Sequence, residues 1–331
     1  MARNVANELG NRLLVSACNG ETDQPPRKQL RKSLDSSSVS IDRVESHGES
    51  GQVLIHLTVD DTTSPQSTNS VSTGCTERTQ SPSNEKQRDR LKEWFAKKYP
   101  AADLGSPPYR ITAETLPAHE SALLPEVHRL YFDYQHHTHG DPDPFKDLGS
   151  AIDLEWGKGA RGDCRAKAKE MLRTQYAHLS IHRQQIIDTA FGTFFDFLVD
   201  TPFPRSSTHG TFHQLYRIGG VLVAVGVVDI LPRGLSSVYL FYSPSFAHDL
   251  VPLGKLASLM EIEYTASRNL EYYYLGYYIE SCTKMRYKAE YRPSQILCPV
   301  SLRWVEASAA QKRLVAISPQ HHYGRLYVGD D

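Results

Sequence analysis

The chain has 331 residues, 40% of them hydrophobic and 23% charged, with 37 basic against 38 acidic side chains. That length holds about two domains, or one domain with tails, and the apolar fraction excludes a wholly disordered chain. A net charge of −1 gives no global attraction to a polyanion, so a nucleic-acid partner would have to be held by local patches.

No apolar run approaches the roughly 18 residues of a membrane helix. Leu13-Leu14-Val15 is too short for a signal-peptide core. We therefore expect no membrane partner and a cytoplasmic or nuclear location. The five cysteines, Cys18, Cys75, Cys164, Cys282 and Cys298, never stand at C-x-x-C spacing. They read as free thiols in a reducing compartment and not as metal ligands.

Residues 1–88 read as a disordered, low-complexity linker region. From Asp60 to Ser83 the only apolar side chains besides proline are Val71 and Cys75, too few to offset the entropy of ordering the segment. Gln52 to Val59 is strand-like but isolated between polar runs. The folded part is placed over residues 89–320. It opens with a short helix over Leu91–Tyr99, stopped by Pro100, and an edge strand over Tyr109–Thr115.

Ser121 is read as the cap of a helix that tolerates Pro125 in its first turn. Val127, Leu130, Tyr131 and Tyr134 form its apolar stripe, and the helix ends in His136-His137-Thr138-His139. Those histidines, beside Asp141 and Asp143, do not converge on one helix face, which argues for capping or an RNA contact over a metal. Residues 146–162 read as loop, and Cys164–Gln185 as a basic segment with Arg165, Lys167, Lys169, Arg173 and Arg183. Ile186, Ile187, Ala190, Phe191, Phe194, Phe195 and Leu198 fit the buried face of the next helix.

From Gly210 the pattern turns to sheet. Phe212–Ile218 and the β-branched run Val221–Ile230 are joined by Gly219-Gly220, a hairpin turn. The second of these strands should lie at the centre of the sheet. Ser237–Tyr242 forms a further strand, Leu253–Asn269 a helix, and Tyr272–Ile279 a last strand. This order predicts an α+β fold, a mixed α/β sandwich.

The specific motifs sit in the same stretch: Phe212-His213-Gln214, then AVGVVDILP over 224–232, SSVY over 236–239, YYYLGYYI over 272–279, CTKMRYK over 282–288 and YRPSQILCP over 291–299. Upstream, Tyr131, Tyr134, Gln135, His139 and Asp141 stand at Y-x-x-Y-Q-x-x-x-H-x-D spacing. The whole resembles the C-terminal domain of arginyl-tRNA–protein transferases, the aminoacyltransferases of the N-degron pathway.

That resemblance implies a GNAT-like acyltransferase domain, here after the disordered tail read from composition, with residues 146–185 as an insertion. It also implies transfer of arginine from arginyl-tRNA to the α-amine of a protein beginning with Asp, Glu or oxidised Cys, which marks the protein for ubiquitin-dependent degradation. The family's N-terminal cysteine group, which binds a metal or an iron–sulfur centre, has no counterpart in the chain. We expect no cofactor, with aminoacyl-tRNA as co-substrate. The arginyl ester is already activated, and an α-amine of pKa about 7.7–8.0 needs only a modest base.

Several residues stand out as site candidates. Asp229, near the end of the central strand, would either cap the following turn or hold the amine or guanidinium; Tyr239 would pass the proton on. His213 and Gln214 alternate on a strand, so one of them can face the site. Tyr216, Tyr242, Tyr274 and Tyr278 are core aromatics or line the site, and Gln135, His139, Ser236 and Ser237 belong to the same motifs and are expected to contact substrate or tRNA. Lys284, Arg286 and Lys288 alternate as they would on one side of an extended segment. They form a solvated edge or bind the acceptor phosphates or the acidic first side chain.

Two other classes stay open. An acyl-CoA-dependent N-acetyltransferase would need a Gly-rich loop opening a helix, and Asp249–Lys255 has one glycine and a proline. The other is a non-catalytic module that binds tRNA or acidic N-termini.

Overall fold

The computed structural model describes residues 13–18, 40–47, 52–58, 93, 97, 110–146, 164–203, 206, 208–244, 253–280 and 282–316. Its strands are β1 (Leu13–Cys18), β2 (Ser40–His47), β3 (Gln52–Thr58), β4 (Arg110–Pro117), β5 (Gly210–Ile218), β6 (Val221–Leu231), β7 (Gly234–Tyr242), β8 (Tyr272–Tyr278), β9 (Ser294–Leu297) and β10 (Trp304–Glu306). Its helices are α1 (Ala118–Ser121), α2 (Pro125–Tyr134), α3 (Cys164–Gln175), α4 (Ile181–Leu198), α5 (Leu253–Ser267), α6 (Thr283–Arg286) and α7 (Ala307–Ala316). The fold is α+β, as expected.

All strands form one sheet in the order β10-β9-β1-β8-β7-β6-β5-β4-β3-β2. Among the described residues every strand pairing is antiparallel except β7 with β8. The expected tail is corrected at three places, since β1, β2 and β3 are strands of this sheet. The rest of residues 1–88 lies outside the described residues. Glu93 and Lys97 are helical, and the remainder of Leu91–Tyr99 is likewise not described. The predicted edge strand is β4, which is internal: β3 pairs with one side of it and β5 with the other.

The run at 221–230 is central, as β-branched residues buried on both faces require. It pairs with β5 and β7, and Gly219 and Gly220 take φ of 56° and 78°, the positive values of a two-residue hairpin turn. Val225, Val227 and Leu215 face a cluster under α2 and α4 that includes Tyr131, Phe191, Phe194 and Phe241. Phe212, Val228, Ile230 and Leu235 face a second cluster under α5, with Tyr273 and Leu275.

Ser121 closes α1 and does not cap α2, whose N-cap is Leu124. Its hydroxyl lies 2.8 Å from His213 Nδ1, and His213 Nε2 lies 2.9 Å from the Leu198 carbonyl. His128, on α2, is as deeply buried and bonds through Nε2 to the Ala122 carbonyl. Burial lowers both imidazoles to about 4, so each is neutral in the folded state.

A lowered histidine pKa stabilises the fold above the unfolded value of about 6.5, and that stability drains away as pH falls toward 4. Each shift corresponds to roughly 3 kcal/mol at about 1.4 kcal/mol per pH unit. The buried carboxyl described below offsets part of this. The melting temperature is therefore expected to fall by about 10 °C between pH 7 and pH 4, at roughly 2–4 °C per kcal/mol for a domain of this size. Thermal scans across that range check it, and a flat profile would contradict the buried neutral pair.

Candidate active site

The parallel pair β7–β8 is registered only from Gly234↔Tyr272 to Ser236↔Tyr274. Beyond those three pairs, no described strand pairs with the rest of β7 on that side. A register shift between Val227 and Val228 on β6 leaves Val238 as the extra residue of β7. Such a bulge flips the side-chain phase of a strand. Ser237 accordingly reaches the α5 side, while Tyr239 packs toward α2 and α4.

The gap holds a buried polar cluster centred on Glu261 of α5, which is 1% exposed. The Tyr273 hydroxyl donates to Glu261 Oε2 at 2.6 Å, the Tyr216 hydroxyl lies 3.4 Å from Oε1, and the Ser237 hydroxyl is close enough to the same carboxyl to favour its charged form. Tyr216 also donates to Gln214 Oε1 at 2.8 Å. Lys288 Nζ donates to the Leu275 and Tyr277 carbonyls at 2.9 and 3.1 Å, oxygens that a parallel neighbour would otherwise satisfy.

Two glycines make room for this arrangement. A Cβ on Gly226 would sit 3.0 Å from Glu261 Oε1 and 3.1 Å from the Tyr216 hydroxyl, and Gly276, at φ +77°, lies against Lys288 Nζ and the Ser237 carbonyl. Desolvation raises the Glu261 carboxyl to about 7, against the pull of its hydrogen bonds and of Lys288. Burial lowers the Lys288 ammonium. A half-buried Ser237 hydroxyl thus leads from the open side of β7 to a carboxyl that titrates near neutrality. That combination can take a proton from an amine of similar pKa.

Across β7, Tyr239 forms a second polar group. Gln135 Nε2 donates to the Tyr239 hydroxyl at 3.3 Å, and His139 Nε2 lies 3.3 Å from it. Gln135 and His139 belong to one π-helical turn that follows α2. Tyr134 packs edge-on against Tyr242, ring centroids 4.8 Å apart. Burial raises the Tyr239 phenol above its ordinary range, which keeps it a protonated donor.

The structure thus brings together Gln214, Tyr216, Ser237 and Lys288 in one group, and Gln135, His139, Tyr239 and Tyr242 in another. Other expectations are corrected. His213 is enclosed, with both ring nitrogens used within the fold, so it cannot reach a substrate; of the alternating pair, Gln214 faces the cluster. Asp229 sits between Val228 and Ile230, which face α5, and so points to the opposite face, where Thr211 donates to it at 2.7 Å.

No hydrogen bond joins Asp229 to Tyr239, and the proton path expected between them is not formed. Ser236 is its cross-strand neighbour on β7. Tyr278 is a structural tether, bonded to Glu280 and accepting from Gln311 Nε2 at 3.0 Å. Tyr274 packs beside Tyr272 and Trp304 on the outer side of β8, with centroids 6.1 Å apart in each pair.

Lys284, Arg286 and Lys288 do not share an extended segment. The first two lie on α6 and the third on a 3₁₀ turn; Arg286 is exposed and Lys288 is engaged inside the gap. Glu261 was missed by sequence reading, because a lone carboxylate on a helix is ordinarily solvated. Among the described residues, no three His, Cys, Asp or Glu side chains converge as a metal site, and no step below is routed through a metal.

Residues 169–298 match the family model described as "Arginine-tRNA-protein transferase, C terminus". The resemblance read from the motifs is borne out. Arginyl-tRNA–protein transferase 1 of Arabidopsis thaliana is 45% identical over 151 residues, which cover 41% of this chain and 24% of that protein. The Dictyostelium discoideum protein of the same name is 46% identical over 138 residues, covering 40% and 21%. An aspartate/glutamate leucyltransferase of Pseudomonas fluorescens (strain SBW25) is 46% identical over 113 residues, covering 34% and 43%. The chain therefore spans about a quarter of the length of those arginyl relatives. No helix among the described residues is long and apolar enough to cross a membrane.

Proposed function

We propose that this chain is an aminoacyltransferase that moves arginine from arginyl-tRNA to the α-amine of a protein beginning with Asp or Glu, a mark for degradation. The observation that carries this reading is the Ser237–Glu261 path at the opening between β7 and β8, inside the segment that matches the family. In the reaction the amine nitrogen attacks the ester carbonyl carbon, a C–N bond forms, and the bond from that carbon to the ribose 3′ oxygen breaks. The amine sheds a proton through the Ser237 hydroxyl to Glu261, and Glu261 returns that proton by the same hydroxyl to the ribose 3′ oxygen as it leaves.

An α-amine of pKa about 7.7–8.0 and a carboxyl near 7 are closely enough matched for that transfer. Holding the two substrates together supplies much of the remaining rate. Tyr239, Gln135 and His139, across the free side of β7, offer hydrogen-bond donors to the charged end of the tRNA. Arg286 and the exposed cations of α3 supply local phosphate contacts on a chain of net charge −1. A place in the cytoplasm or nucleus, where charged tRNA is found, belongs to the same reading.

The test incubates the chain with tRNA carrying labelled arginine and a peptide beginning with Asp. Label is expected on that peptide and not on its N-acetylated form. Acetylation of the peptide from acetyl-CoA, with no arginine transfer, would favour the acetyltransferase class. Tight tRNA binding without either product would favour the non-catalytic module.

A further inference from the structure

Beside the Tyr239 group, a cleft of about 380 Å³ opens between α2 and α4, a size that suits a small ligand group. Tyr131 and Phe132 are buried residues on its α2 side, Ala190 lies on the α4 side, and Gln135 and Asp141 also line it. Asp141 is fixed by its backbone. Its N–H donates to the Gln135 carbonyl at 3.3 Å, and its own carbonyl accepts from His136 Nδ1 at 2.8 Å. Its carboxylate forms no ion pair with a described residue, although it lies close enough to raise the pKa values of both the Tyr131 and Tyr239 phenols.

We propose that this cleft receives the arginyl side chain of the donor, with Asp141 facing the guanidinium and Tyr131 and Phe132 against its alkyl stem and planar head. The inference rests on the aminoacyl-transfer reading and adds to it the residue that selects the amino acid. Three features support it. A planar cation is attracted both to a carboxylate and to aromatic faces. Gln135 is shared between the cleft and the Tyr239 hydroxyl, so a side chain in the cleft places its ester near that hydroxyl. An apolar side chain of similar length gains nothing from that carboxylate, so the preference comes from the attraction that the guanidinium alone receives.

The experiment needs no turnover. Calorimetry measures binding of 3′-arginylamino-3′-deoxyadenosine and of its leucyl counterpart, stable amide mimics of a charged tRNA end, to the whole chain and to Asp141→Asn. Asp141 is exposed, so the change leaves the core untouched, and the variant's melting curve is recorded alongside. The wild type is expected to bind the arginyl compound at least tenfold more tightly than the leucyl one, a ratio falling to about one in the variant. Equal binding of the two compounds by the wild type, no binding of either, or an unchanged ratio in the variant overturns the proposal. If the ratio collapses as expected while the wild type transfers no arginine to peptide, the subsite stands and the aminoacyl-transfer reading falls.

Discussion

Glu261→Gln is expected to lower arginine transfer by about 10²-fold or more while the protein keeps its fold. Gln keeps the shape and can still accept from Tyr273 through its single carbonyl oxygen, but it cannot take up the amine proton, and one positioned acid–base group contributes roughly that factor. The stability readout runs the other way. A carboxyl whose folded pKa is raised to about 7 stabilises below its unfolded value of about 4.3, and that contribution is lost as pH rises through 7. The wild type should therefore give up roughly 3 kcal/mol from this group between pH 4.5 and 8, and Glu261→Gln should not. Transfer rates and urea midpoints for both proteins at several pH values check the two halves together. A variant with a near-normal rate would make Glu261 purely structural.

Lys288→Met carries the second large effect. The substitution keeps the apolar stem and removes the ammonium, stranding the Leu275 and Tyr277 carbonyls and leaving Glu261 without its neighbouring cation. Unsatisfied buried groups cost about 1–3 kcal/mol each, so a loss of about 2–5 kcal/mol is expected at pH 8. The loss should shrink at pH 5, where Glu261 is protonated and needs no countercharge. Denaturant titrations at the two pH values measure it, and a variant as stable as the parent at pH 8 would show that the gap is closed by something else.

The parts of the fold that were legible in the sequence are those where local chemistry and tertiary role agree. The run at 221–230 is rich in β-branched residues and is buried on both faces. Gly219-Gly220 has the backbone freedom that its turn requires, and the aromatic positions of α4 repeat with the helical period. Of the first three strands only β3 left a local mark, as the strand-like run from Gln52; their place in the sheet comes from the pairing of β1 and β3 with strands distant in sequence.

The site was half legible. Motif residues such as Gln214, Tyr216, Ser237 and Tyr239 were singled out, but their grouping depends on the bulge at Val238 and on the early end of the β7–β8 pairing. Neither leaves a mark in residue type. Glu261 lies 45 positions from Tyr216 and 12 from Tyr273, and only the packing of α5 on the sheet makes it a buried group. The alternation of Lys284, Arg286 and Lys288 suggested a strand because their spacing has period two, yet the intervening residues wind into a helix and a 3₁₀ turn.

The central claim is that the acceptor amine enters between β7 and β8. A peptide beginning with Asp and carrying a photoreactive side chain at its second position, cross-linked to the chain in the presence of charged tRNA and mapped by mass spectrometry, tests it most directly. Cross-links are predicted within 237–242 and 274–278, and free Asp-peptide should compete them away. Competable cross-links confined to other surfaces, such as α3 or α7, would contradict it.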